Sequence, residues 1–84
     1  MKVTVKLEDI EKGERFGFGK GCPIKLALRR KGFTDVMVGP NTIEYFDRKK
    51  THQHKFLPRI AVAFITNFDM QNREFTPEPF TFEC

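Results

Sequence analysis

The stretch Gly17-Phe18-Gly19-Lys20-Gly21-Cys22-Pro23 holds the densest chemistry in this chain. A glycine-rich loop entering a helix can turn free N–H groups and the positive end of the helix dipole toward an anion. Gly19, Lys20, Gly21 and Cys22 would form that site, with Lys20 adding charge. Pro23 removes one donor, and no Gly-Lys-Ser/Thr follows, so this is not a phosphate-binding P-loop. The same residues also read as a flexible connector. Cys22 stands at the helix start, where a thiol is acidified. A nucleophile there needs a histidine base, and nothing in the sequence places His52 or His54 beside it. The bland alternative is a small buried group that anchors the helix.

His52-Gln53-His54 offers two nitrogen ligands but lacks paired metal-site spacing. No metal or cofactor is expected. Arg15-Phe16-Gly17-Phe18-Gly19-Lys20 resembles the aromatic-glycine motif of single-strand RNA binders. It precedes a helix instead of lying on a central strand, so an RRM is rejected, while stacking from a loop stays open. No nucleophile elbow, HExxH or paired-carboxylate arrangement occurs. The chain reads as a binder and not as an enzyme.

These residues need elements to hold them. Residues 2–7 alternate, with Val3, Val5 and Leu7 on one side, and predict a strand. Residues 8–13 predict a single helical turn or a loop. Residues 13–21 hold four glycines and predict a loop. Pro23 suits the first helical position. Ile24, Ala27 and Leu28 share a face, and Gly32 is a stop, so helix 23–31 is expected. Strand 33–38, the turn Gly39-Pro40-Asn41 and strand 42–47 form an expected hairpin. Residues 48–55 read as a basic loop. Leu57, Ile60, Ala61, Phe64, Ile65 and Phe68 mark one face of helix 58–69. Residues 71–79 form a loop before a last strand, 79–83.

The order β-α-β-β-α-β predicts a single α+β domain over residues 1–84. It would be ferredoxin-like, or a related small antiparallel sheet with two helices on one face; the alternative is an irregular α+β domain with a three-stranded sheet. A chain of 84 residues has a thin core, and its ten phenylalanines read either as the main core filler or as more than that core hides. Exposed Phe would mark a contact surface. The two cysteines are too few for a disulfide framework, and no Cys22–Cys84 bridge is expected. The N-terminus lacks an apolar signal region and no run spans a membrane, so a cytoplasmic protein is expected.

The formal net charge of +4 is unevenly spread. Residues 12–31 are basic apart from Glu14, and residues 48–59 contain no acid. Lys25, Arg29 and Arg30 in the first region, and Lys49 and Lys50 in the second, would make a positive patch if the two regions meet. Such a patch attracts phosphates and acidic proteins alike, or serves only as a solvated face.

Cys22-Pro23-Ile24 with Ala27-Leu28 comes first in a series of short motifs. Val38-Gly39, Leu57-Pro58, Phe64-Ile65, Phe68-Asp69 and Glu78-Pro79-Phe80-Thr81-Phe82-Glu83 follow in order. The series resembles a group of small proteins of tailed bacteriophages and some bacteria, over nearly the whole chain. RKKTHQHK and GFGKG depart from the pattern. The group supplies no active site. It implies a phage gene product in a bacterial cytosol, acting on a host protein in takeover or anti-defence. The leading expectation is therefore a non-enzymatic module that binds a host protein through its basic face. A nucleotide or other anion at Gly19–Cys22 and a nucleic acid are the alternative ligands.

Overall fold

A computed structural model describes residues 1–13, 21–69 and 76–84. Strand β1 (Lys2–Val5) turns Val3 and Val5 fully inward and Lys2 and Thr4 outward. It pairs antiparallel with β5 (Phe80–Glu83), matching Lys2 with Glu83 and Val3 with Phe82. The Thr4 and Thr81 hydroxyls meet at 3.2 Å. Between β1 and β5 in sequence lie α1 (Leu7–Lys12), α2 (Pro23–Arg30), β2 (Thr34–Val38), β3 (Thr42–Phe46), β4 (His52–Phe56) and α3 (Arg59–Asp69).

The architecture is α+β, but the expected order is not found. Of the expected loop, residues 48–51 form a turn but 52–55 belong to β4, and the strands divide into a β1-β5 pair and a β2-β3-β4 sheet, both antiparallel. A single ferredoxin-like sheet is not formed by the described residues. With β2 on one edge of β3 and β4 on the other, β3 has no edge left for β1. Helix α2 packs on both β2 and β1, so it joins the two sheets instead of lying on the face of one.

Helix boundaries follow local chemistry. Pro23 occupies the first position of α2, where its missing N–H costs nothing. At the other end Gly32 takes φ +94, its N–H reaches Arg29 O, and Phe33 N–H reaches Leu28 O. These two bonds form a Schellman motif, which favours glycine at the left-handed position. In α3, Ala61, Phe64, Ile65 and Phe68 are buried as expected. Ile60 is exposed, while Ala61 beside it is fully buried, so the inward face of α3 begins at Ala61. Leu7 is likewise exposed, since β1 ends at Val5 and Leu7 begins α1.

The core joins Val3 and Val5 to Ile24, Leu28, Ile43, Tyr45 and the α3 face. Each fully buried aliphatic side chain contributes about 1.5–3 kcal/mol of transfer free energy. Strand β2 carries one irregularity: its register to β3 slips between Thr34 and Met37, and Asp35 adopts φ 49. A short polar residue tolerates this left-handed geometry, which fits a bulge.

A candidate binding surface

The turn from β3 to β4 is built on Asp47. Its carboxylate accepts the N–H groups of Lys49 (2.9 Å) and Thr51 (3.0 Å), and Gln53 Nε2 (3.2 Å). These donors favour the charged form, Thr51 most, and hold the carboxyl below its usual range against a smaller effect of burial. Lys50 closes the turn at φ 62. The polar sequence HQHKF becomes a strand because it pairs residue by residue with β3, from Thr42 opposite Phe56 to Phe46 opposite His52. As the edge strand it tolerates half-buried Gln53 and Lys55 on its inner side.

The two basic regions meet. Arg48 Nε donates to Lys31 O at 2.7 Å, and the Arg48 side chain lies against Gly32. Lys31, Arg48 and Lys49 share a shallow hollow with Phe33. Lys25 and Arg29 line a second hollow, which also reaches Phe33. One acid lines each hollow, Asp47 the first and Asp35 the second. Of the expected patch residues, Lys25, Arg29 and Lys49 therefore lie around Phe33, and exposed Lys50 sits in the same turn as Lys49.

Arg30 faces elsewhere. Its guanidinium bonds the buried carboxylate of Asp9 and donates to Thr4 O at 3.1 Å. It also lies 3.7 Å from Glu8. A cation compensated in this way is tied to α1 and β1, so its charge is largely spent inside the molecule. Lys31 and Arg48, not singled out in the sequence, form the actual junction. Their place in two basic runs was visible, but the bond between the runs was not.

Gly19 and Lys20, half of the expected anion site, lie outside the described residues, as does the Arg15–Lys20 motif. Gly21 and Cys22 are buried. Burial pushes the Cys22 thiol up from its ordinary 9.0, with the N–H groups of Ile24 and Lys25 pulling the other way. A raised pKa in the core fits the helix-anchoring reading of Cys22. Both cysteines are free thiols.

His52 and His54 lie on the outer face of β4. Glu44 Oε1 stands 3.7 Å from His52 Nε2 and 4.0 Å from His54 Nδ1. Among the described residues, no group of His, Cys, Asp and Glu could hold a metal ion, and no helix is long and apolar enough to cross a membrane.

The surface these histidines belong to is not among the sites expected from the sequence. Because β3 and β4 pair in register, Glu44, Phe46, His52, His54 and Phe56 all point away from the core. Phe56 is 79% exposed and Met37, on β2, 64%. The alternation at 52, 54 and 56 was the available signal, but its inner positions are polar, so it did not look like a strand. No family model, curated protein or solved structure matches this chain.

Proposed function

We propose that the chain is a non-catalytic binding module that engages an acidic surface of a protein partner through its basic band. Lys25, Arg29, Lys49 and Lys50 carry the band, with Lys31 and Arg48 at its centre. The resemblance to phage proteins makes that partner a host protein of the bacterial cytoplasm, met in takeover or anti-defence. The observation that supports this reading is the Arg48–Lys31 bond, which makes one surface of two basic regions 17 residues apart. Like charges held together focus a field that steers an acidic partner and raises its on-rate.

The test is a triple reversal, Arg29→Glu with Lys49→Glu and Lys50→Glu. Wild type and variant are used to capture proteins from nuclease-treated bacterial lysate, with circular dichroism to confirm the fold. A partner held by wild type and released by the variant is the expected result. A partner held equally by both overturns the reading.

A further inference from the structure

The outer face of β2-β3-β4 carries a second inference, which goes beyond the basic band and shares with it only the turn lysines, Lys49 and Lys50. Four rings stand on this face. His52, His54 and Phe56 follow one another along β4, and Phe46 lies across from His52 with ring centroids 5.4 Å apart. Same-side residues of a strand are two rises apart, about 6.6 Å. At that spacing each ring of the β4 row keeps a face free.

Charges of both signs surround the rings. The turn at the Phe46–His52 end holds exposed Lys49 and Lys50, while Arg48 turns to the other side of the sheet to reach Lys31 O, and exposed Arg59 stands three residues after Phe56 in the sequence. The acids nearby are Glu44, which faces the two imidazoles, Asp47, whose oxygens accept the turn hydrogen bonds, and exposed Asp35, next to the β2 residue that pairs with Phe46.

We infer that this sheet face is a platform for single-stranded nucleic acid. Bases stack on the exposed rings, and the phosphates meet the exposed turn lysines, Lys49 and Lys50, at one end. Every base has a π-face, so stacking on aromatic side chains needs no particular sequence. Only unpaired bases can offer those faces, because a duplex hides them in its own stack. A protein partner is the poorer fit. The apolar residues Met37, Phe46 and Phe56 are separated by Glu44 and His54, and an acidic peptide gains nothing from the phenyl rings.

The probe is fluorescein-labelled oligouridylate or oligothymidylate, followed by anisotropy across a salt series. Wild type is expected to bind, with affinity falling as salt rises. Phe56→Ala and Phe46→Ala should each weaken binding roughly 5- to 100-fold. A duplex of the same length should bind no better than these variants. Phe56 is exposed enough that its truncation leaves the core untouched, so that variant decides the matter alone if Phe46→Ala folds poorly. Equal affinity of wild type and Phe56→Ala overturns the inference, since only charge attraction would remain. Failure to bind the oligonucleotides at low salt overturns it too, as does displacement by polyglutamate that is indifferent to the Phe substitutions. The triple charge reversal read on protein capture answers separately for the basic band.

Discussion

The guanidinium of Arg30 rests on the buried carboxylate of Asp9, tying α2 to the start of α1 across 21 residues of chain. Asp9 also accepts the backbone N–H of Lys6 at 2.9 Å, which closes the first turn of α1. One carboxylate thus caps a helix and neutralises a cation that would otherwise lie beside β1. The pair is half open to water on its Arg30 side and closed on its Asp9 side.

Removing Arg30 therefore acts on the fold. Arg30→Ala leaves the Asp9 carboxylate buried without its partner, and a loss of about 1–3 kcal/mol is expected. Urea denaturation measures it. Lys49→Ala, at an exposed turn, should stay within about 0.5 kcal/mol of wild type. The double variant Arg30→Leu/Asp9→Leu should recover part of the loss, because no buried charge remains. Equal stability of Arg30→Ala and Lys49→Ala would show that the Asp9 contact contributes nothing.

Gly13 is a place where a single methyl should matter. A Cβ there would stand 2.7 Å from Pro23 Cγ and 2.9 Å from Pro23 Cδ. The pyrrolidine ring cannot swing aside, so the end of α1 must shift off the start of α2. Gly13→Ala is expected to cost about 1–3 kcal/mol, read as a lowered denaturation midpoint. In the Pro23→Ala background the same change should cost less. Additive costs in the double variant would place the strain elsewhere.

Stability should fall on the alkaline side. Burial is the main cause that raises the Cys22 thiol above 9.0, the Cys84 thiol above 9.0 and the Tyr45 hydroxyl above 10.0. A group raised in the folded state is deprotonated first in the unfolded chain. Its stabilising effect is complete below the unfolded value and is lost as pH rises through the folded one. Denaturation midpoints should hold steady to about pH 8 and decline above about pH 9. Cys22→Ala should flatten that decline while lowering stability at neutral pH through the lost sulfur contacts. An unchanged alkaline slope in Cys22→Ala would assign the effect to Cys84 and Tyr45.

What the sequence determined by itself was local. Alternation at Val3 and Val5 marked β1, a Pro23 start and a Gly32 stop bounded α2, and the spacing of Ala61, Phe64, Ile65 and Phe68 defined the buried side of α3. Each of these signals lies within a few residues of the element it specifies, because helix and strand periods are short-range properties of the backbone. The tertiary structure decided the rest. HQHKF is a strand because β3 offers it an edge, not because of its own propensity. Taking that edge, it keeps β1 with β5 and divides the strands into two sheets. Arg30 leaves the basic surface because Asp9 is folded against it, while Arg48 joins that surface by reaching Lys31. Pairing partners and charge compensation depend on groups far apart in the chain, and no local pattern encodes which of them will meet.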